Sequence, residues 1–416
     1  MDRSASRSVL VLTYWSAPDA LIQTYTLPYI RQIRSALPAS AGIHLLTLEQ
    51  ANHSPEEAAR IRARLRAEGI EWLPVRYERF GLRMAVRLVL LLPRLVLLIM
   101  RERIAAIHAW CMPAGALGWL LSVVTRTALV IDSYEPHAQA MAENGTWSRR
   151  GAAYRVLAWF ERRATRRAGV LISCTGGFLD YAARFYRTSF AHKRTFVKPA
   201  CTDLDQFDTA MAKDAVLLAE LGLAGKVVAV YAGKFGGIYL RSEVFTFLAA
   251  CHQHWKDDFR VLLLSNHPEE GLNAWCAAAG LPTSVMVRRF VPHADVPRYM
   301  GLGDFGLCPV LPTPSKRYCT PIKNGEYWAL GLPVVITPNI SDDSDLIVQH
   351  KAGVVWDHTR PPRPAVEALV ALLAEPSSAR RARIRQLAEV RRSFSIAAAI
   401  YRQVYGGDGT NAASAR

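Results

Sequence analysis

The sequence predicts an α/β protein with two doubly wound, Rossmann-like domains that face a cleft. Two observations lead to this prediction. Strand-like apolar runs alternate with helical patterns through the first half of the chain, and the same alternation starts again near residue 226. In addition, 416 residues are more than one hydrophobic core usually organises, so two domains are expected.

In the first half, six short apolar runs have the composition of buried parallel strands. They are residues 8–15, 42–48, 71–77, 104–110, 127–134 and 169–175, with helical patterns around residues 26–37, 54–69 and 149–168. Such alternation of strands and helices is typical of a doubly wound parallel sheet.

The second half repeats the pattern. Its predicted strands are 226–233, 259–265, 285–291, 304–310, 333–337 and 353–357, and its helices lie near 241–254 and 271–280 and from Thr320 onward. In open parallel sheets, ligands bind beyond the carboxyl ends of the strands, where the strand order reverses. Functional residues are therefore expected in the loops that follow the strands.

The net charge is +16, and nearly all of the positive excess falls in the N-terminal half. The sequence has no zinc-finger spacing, no aromatic RNA-binding signature and no nuclear-type basic run, so a nucleic-acid partner is not expected. An anionic membrane surface, or an acceptor that carries phosphate, fits a one-sided excess better.

The segment "RMAVRLVLLLPRLVLLIMRER" (83–103) is strongly apolar but is interrupted by Arg87, Pro93 and Arg94. Its uninterrupted apolar runs are shorter than a bilayer span requires, so the segment is predicted to form one or two amphipathic helical pieces. These pieces could pack on a sheet or lie on lipid headgroups. The flanking arginines favour the membrane surface.

The seven cysteines are scattered without short paired spacing, which argues against a disulfide framework and against a cysteine-based zinc site. The N-terminus also lacks the layout of a signal peptide. A reducing, cytoplasmic location is therefore expected, at the inner face of the membrane if the chain contacts lipid.

The stretch "TPIKNGEYWALGLPVVIT" (320–337) combines a helix start with two charged side chains. Thr320 is predicted as the N-cap and Pro321 as the first helical residue, so free N–H groups and Lys323 would offer an anion site for a diphosphate. Glu326 lies one turn on and could accept hydrogen bonds from a ribose diol. The alternative is an ordinary Lys–Glu surface pair.

The segment "PIKNGEYWALGLPVV" resembles the donor-nucleotide motif of glycosyltransferase family 4 and related GT-B enzymes. The resemblance extends over almost the whole chain, strongly in residues 285–340. The further segments that carry it are "IHAWCMPAG" (107–115), "VIDSYEP" (130–136), "FERRATRRAGVLISCT" (160–175), "VKPACTDLDQF" (197–207), "VYAGKFGG" (230–237), "VRRFVPHADVPRYM" (287–300), "GDFGLCPV" (303–310) and "FSIAAAIYRQVY" (394–405).

This resemblance implies the domain limits. Residues 1–204 would form the acceptor-side domain and residues 205–392 the nucleotide-sugar domain of a GT-B architecture. Residues 393–405 would be a closing helix that returns to the first domain, and residues 406–416 are expected to be a disordered tail.

The resemblance also implies roles for donor-side residues. Glu326 would hold the ribose hydroxyls, and Lys323 with the N–H groups near Thr320 would face the diphosphate. Lys234 would neutralise the leaving nucleotide, unless it is only a solvated loop lysine. The remaining donor-side candidates are Gly233 and Gly236, which let the backbone approach a phosphate, Val291 in the base-binding loop, and Tyr318, which stands where relatives often carry a sugar-binding glutamate.

On the acceptor side, relatives often have a histidine near the reacting sugar. His108 is the candidate, although histidines of this kind are frequently buried structural residues. Asp132 and Glu135, on the loop after a predicted strand, could serve as general base in an inverting enzyme, and Asp132 could equally cap a turn. A retaining enzyme needs no such base, and the resemblance favours retention.

The expected activity is transfer of a sugar from a nucleoside diphosphate, most simply a UDP- or GDP-sugar, to a glycan or lipid-linked acceptor hydroxyl in cell-surface polysaccharide or glycoconjugate synthesis. No further cofactor and no metal are expected, because "DDSD" (342–345) fits the start of a helix better than a metal site. The alternatives are a nucleotide-sugar epimerase, a phosphorylase or a non-catalytic glycan- or nucleotide-binding scaffold.

Overall fold

The structure is a computed structural model that describes residues 8–19, 21–78, 81–133 and 135–406. It contains two compact units, each built on a parallel sheet. The first unit runs to Lys198 and takes up the chain again from Ser395, and the second is Pro199–Phe394. The predicted fold class is confirmed. Tyr134 and the predicted tail beyond Gly406 lie outside the described residues.

The first unit alternates strands and helices, as the sequence pattern indicates. Its strands are β1 (Val9–Leu12), β2 (Ile43–Glu49), β3 (Ile70–Arg76), β4 (Ala106–Trp110), β5 (Ala128–Ser133), β6 (Val170–Ser173) and β7 (Arg194–Val197). Its helices are α1 (Leu27–Ala36), which a short π-helix (Ile22–Thr26) precedes, α2 (Pro55–Ala67), α3 (Leu82–Arg101), α4 (Met112–Thr125), α5 (His137–Glu143), α6 (Ala152–Arg167) and α7 (Gly176–Phe185).

The first sheet has the strand order β3-β2-β1-β4-β5-β6-β7, with parallel pairing between neighbours. Val9 pairs with Ile43 on one side and with Ala106 on the other, which fixes the register about β1. All four residues of β1 are buried, because helices cover both faces of a sheet of this kind. The strand order reverses between β1 and β4.

Local signals explain where helices begin. At α2, the Ser54 side chain accepts a hydrogen bond from the Glu57 N–H at 3.1 Å, and Pro55 takes the first helical position. The apolar segment 83–103 lies in one continuous helix, α3, as far as Arg101, with Pro93 inside it. Within the described residues, no helix has the length and apolar content needed to cross a membrane.

The second unit has six strands, β8 (Val227–Ala232), β9 (Phe259–Leu264), β10 (Met286–Arg289), β11 (Phe305–Cys308), β12 (Val334–Ile336) and β13 (Gly353–Val355). Its helices are α8 (Ala215–Glu220), α9 (Glu243–Trp255), α10 (Glu269–Ala279), α11 (Val296–Met300), α12 (Ile322–Ala329), α13 (Asp343–Gln349), α14 (Arg363–Leu373) and α15 (Ser377–Arg392). A last helix, α16 (Phe394–Tyr405), lies almost entirely in the first unit.

The second sheet has the order β10-β9-β8-β11-β12-β13, again parallel. The centre of this sheet is apolar, with Val230, Phe305 and Ile336 fully buried. The order reverses between β8 and β11, so the loops that follow these two strands mark the ligand-binding position of the unit.

Candidate functional site

The loops after β8 and β11 are held together at the switch point of the second sheet. Leu240 donates its N–H to the Pro309 carbonyl at 2.9 Å, and Tyr239 and Val310 form an antiparallel bridge. Helix α12 starts twelve residues after Val310, at Ile322. The carboxyl edge of β8 therefore lies beside a helix whose first turn carries Lys323.

The predicted start of α12 is wrong by one residue. Pro321, not Thr320, occupies the N-cap position, with an extended backbone at φ −66° and ψ 126°. Thr320 is buried, and its hydroxyl lies 3.4 Å from that of Ser341. Because Pro321 makes no side-chain cap, the first N–H groups of the helix are not satisfied by a capping side chain.

Lys323 crosses from α12 to the loop after β8. Its Nζ donates a hydrogen bond to the Tyr239 hydroxyl at 2.9 Å and lies 4.3 Å from the centre of that ring. Burial alone would lower the pKa of Lys323, but the interactions with Tyr239 outweigh it and leave the pKa raised. The side chain is therefore a fixed positive charge at the switch point.

Gly233 makes room for this lysine. It follows β8 with φ +142°, and a Cβ at this position would lie 2.9 Å from Lys323 Cε and 3.1 Å from Nζ. A side chain here would push the ammonium group away. Gly236, with φ +84°, is covered in the same way by Arg241, whose Nε would lie 2.8 Å from a Cβ. The glycines thus bring two cations close to the backbone of one loop.

Glu326 is one turn further along α12 and is half-buried. Burial raises the pKa of its carboxyl to about 7, and the positive charge of Lys323 acts against this rise. Near neutral pH the group is therefore divided between its acid and carboxylate forms. A ligand that donates hydrogen bonds to the carboxylate would favour ionisation.

The other predicted donor-side residues surround this centre less closely. Lys234 is exposed on the loop after β8, and its carbonyl accepts a hydrogen bond from the Tyr231 hydroxyl at 2.7 Å. Val291 is half-buried after β10, which is two strands away from β8 in the sheet. Tyr318 is half-buried at the end of a 3₁₀ turn, Pro314–Tyr318, ahead of α12.

A buried polar chain behind α12 was not predicted. Asn324 donates to Asp343 at 2.6 Å, and Asp343 also pairs with Arg392, which stacks over Trp328. Burial raises the pKa of Asp343, and Arg392 opposes that effect. Tyr239 was missed as well, because only the bridge to Val310 brings it to Lys323.

The "DDSD" run begins helix α13, as predicted, but not through a side-chain cap. Asp342 occupies the N-cap position without a capping hydrogen bond. Asp343 faces inward instead, to the chain just described. Across the described ranges, no cluster of three or more His, Cys, Asp or Glu side chains is arranged to hold a metal ion.

In the first unit, His108 and Asp132 form a fully buried polar cluster with residues of α16. His108 Nδ1 is 2.7 Å from the Tyr405 hydroxyl, and Tyr401 donates to Asp132 at 2.9 Å. Lys198 Nζ lies 3.3 Å from Asp132, and His108 Nε2 lies 3.7 Å from it. Burial alone would raise the pKa of Asp132, but Lys198 and His108 outweigh it and lower the pKa.

This cluster corrects the placement of Asp132. Asp132 was predicted both within the strand 127–134 and on the loop after it. Asp132 is part of strand β5, where it pairs with Trp110 of β4 and Ile172 of β6. Strand alternation directs its side chain inward, towards Lys198. Glu135, on the loop before α5, is half-buried.

Two family models match the chain. The one described as Glycosyl transferase 4-like domain matches residues 26–199, and the one described as Glycosyl transferases group 1 matches residues 226–375. No curated protein matches the chain in sequence.

Several solved structures share the fold over nearly the full chain. HepE of Anabaena, solved in complex with UDP, is 15% identical, covers 95% of this chain and 99% of its own, and superposes with a TM-score of 0.69. Sucrose-phosphate synthase of Thermosynechococcus elongatus is 16% identical, covers 96% of this chain and 99% of its own, and superposes with a TM-score of 0.67. WaaG, a glycosyltransferase involved in lipopolysaccharide biosynthesis, is 14% identical, covers 96% of this chain and 100% of its own, and superposes with a TM-score of 0.69.

Proposed function

Since the chain belongs to the GT-B glycosyltransferases that join a glycosyl transferase 4-like domain to a group 1 domain, we propose that it transfers a sugar from a nucleoside diphosphate to an acceptor hydroxyl, with retention of configuration. The observation that carries this proposal is the position of Lys323 across Gly233, with Glu326 one turn away, at the switch point of the second sheet.

The chemistry follows from these charges. As the bond between sugar and diphosphate breaks, negative charge grows on the diphosphate oxygens. Lys323 is held protonated by Tyr239, and the first N–H groups of α12 have no capping side chain, so both would stabilise the charge of the transition state more than that of the ground state. Lys234 and Arg241 on the loop after β8 would supply further positive charge to the leaving nucleotide.

Glu326 is assigned to the ribose. In its ionised form the carboxylate can accept a hydrogen bond from each of the two ribose hydroxyls. Val291 and its loop would contact the base, and Tyr318 would lie towards the transferred sugar. A UDP- or GDP-sugar is the proposed donor, supported by the UDP bound in the similar HepE structure.

Retention removes the need for a base from the first unit, because the leaving diphosphate can accept the acceptor proton. No metal ion is assigned a role in this proposal. His108 remains a predicted catalytic residue despite its complete burial. Comparing the transfer rate of a His108→Ala variant with its melting temperature would separate catalysis from folding.

The acceptor is proposed to be a glycan or a lipid-linked glycan at the cytoplasmic face of a membrane, in cell-surface polysaccharide or glycoconjugate synthesis. The positive N-terminal half supports this proposal, as does the involvement of the similar WaaG in lipopolysaccharide biosynthesis. Helix α3 supports it further, since Leu82, Val89 and Leu97 are exposed on it and Arg83 and Arg94 lie alongside them.

The decisive test is donor binding. UDP-, GDP- and ADP-sugars are added to the purified chain, and the melting temperature is measured, because a ligand bound only to the folded state stabilises it. One class should raise the melting temperature of the wild type but not of Glu326→Ala. An unchanged response in Glu326→Ala would contradict the assigned site. Nucleotide release that depends on an added acceptor would separate a transferase from an epimerase.

A further inference from the structure

The first unit contains a cavity of about 750 Å³ between α5, α6 and α7 that has no part in the donor chemistry. The floor of the cavity is polar, and its side chains are hydrogen-bonded to one another and to the backbone. Glu161 is only 2% exposed, and its carboxylate accepts hydrogen bonds from the Ala138 N–H at 2.8 Å and the Tyr186 hydroxyl at 3.0 Å. Next to it, Tyr181 donates to the Gln139 side chain at 3.1 Å.

The rim of the cavity is positively charged. Arg149, Arg155 and Arg162 line it, and all three are exposed. Arg149 also lies 3.8 Å from the Glu143 carboxylate, within the range of a weak ion pair. Guanidinium groups match phosphate oxygens in geometry and charge, so this rim is suited to a phosphate ester.

The walls are aromatic and reach the protein surface. Trp159 is 39% exposed and Phe185 is 51% exposed, although both rings line the cavity. A ligand that suits this site therefore has an anionic end and an apolar end. The volume lies within the range of sites that enclose a ligand of a few tens of atoms.

The cavity adjoins a wider apolar surface of the same unit. Trp119 of α4 meets Trp159 edge to face at 5.3 Å, and α4 packs against α3, where Leu90 and Met100 are exposed. Tryptophan and arginine beside exposed aliphatic side chains are typical of protein surfaces that lie at the bilayer interface.

We propose that this cavity binds the head group of an anionic phospholipid from a bilayer. The phosphate contacts the arginine rim, the polar part of the head group reaches Gln139 and Glu161, and the acyl chains leave over Trp159 and Phe185. This inference rests on the membrane contact in the proposed function and adds a specific lipid site to it.

The test compares two double variants with the same change of charge. Arg155→Gln with Arg162→Gln removes two rim charges, and Arg60→Gln with Arg64→Gln removes two exposed charges from α2, which does not line the cavity. Sedimentation with vesicles of phosphatidylcholine, with and without phosphatidylglycerol, measures binding. We expect the rim variant to bind anionic vesicles about ten- to thirtyfold more weakly than the wild type does. Equal loss in both variants would overturn the proposal.

A second measurement distinguishes the lipid from free phosphate. Dihexanoyl phosphatidylglycerol, kept below its micelle concentration, should bind the wild type saturably and the rim variant weakly, as followed by calorimetry. Equal binding of inorganic phosphate, or no saturable binding of the short-chain lipid, would contradict a lipid site. The thermal shift by nucleotide sugar, measured on the same variants, should be unchanged. A wild type that shows no such shift but still binds the short-chain lipid would count against the proposed function alone.

Discussion

Protonation of Glu326 should control the affinity for the sugar donor. Burial raises the pKa of this carboxyl to about 7, and only its ionised form can accept hydrogen bonds from both ribose hydroxyls. The two phosphates of a nucleotide sugar are diesters and stay ionised at neutral pH, so the ligand contributes no titration of its own. Affinity should therefore rise with pH through the neutral range.

The size of the effect follows from the pKa. At about pH 5.5, only about 3% of the Glu326 side chains would be ionised in the free protein, so binding that needs the carboxylate should be about 30-fold weaker than at about pH 8.5. This factor corresponds to about 2 kcal/mol of binding free energy. Lys323 adds no slope, because its pKa is raised from an already high ordinary value.

Isothermal titration calorimetry with the preferred nucleotide sugar, at several pH values across this range, measures the dissociation constant. Glu326→Gln cannot ionise and should bind weakly at every pH. Glu161, in the first unit, is the matched control, since burial raises the pKa of its carboxyl to about 7 as well and Glu161→Gln should keep the wild-type slope. A wild-type dissociation constant that does not change with pH, or a slope that survives in Glu326→Gln, would refute the ribose assignment.

Three further variants test the two units. Lys323→Met should weaken nucleoside diphosphate binding by about 10- to 100-fold in calorimetry, through the loss of a charged contact, while the exposed Lys351→Met leaves it unchanged. Gly325→Ala should lower the free energy of unfolding in urea by about 1–3 kcal/mol, because the added methyl would overlap a buried threonine hydroxyl. Asp132→Asn should lower the free energy of unfolding by about 3–5 kcal/mol, since Lys198 would lose its buried carboxylate. A melting temperature equal to that of the wild type would contradict either stability prediction.

The alternation of strands and helices was readable from the sequence because both sheets are parallel and buried on both faces. Their strands, such as β1 and β8, are nearly continuous apolar runs, and helical patterns separate them. Segment 83–103 was ambiguous between one helix and two, since Pro93 usually breaks a helix interior. In the structure, Pro93 is exposed within α3 and the helix continues through it.

The candidate site was predictable where the signal is local. Lys323 and Glu326 share one motif, so their spacing on α12 was evident from the sequence. The contact between Lys323 and Tyr239 joins residues 84 positions apart and depends on the pairing of two loops. Thr320 was misplaced because Ser and Thr favour the N-cap, whereas the extended backbone of Pro321 takes that position here.

Helix α16 has a consequence for the order of folding during synthesis. Tyr401 and Tyr405 close the buried cluster around Asp132 and His108, yet the ribosome makes them after the entire second unit. Domains generally fold as units in the order in which they emerge. The first unit can therefore form its sheet early but must leave a charged interior exposed until α16 emerges, so the nascent chain has a long interval in which chaperones can bind it.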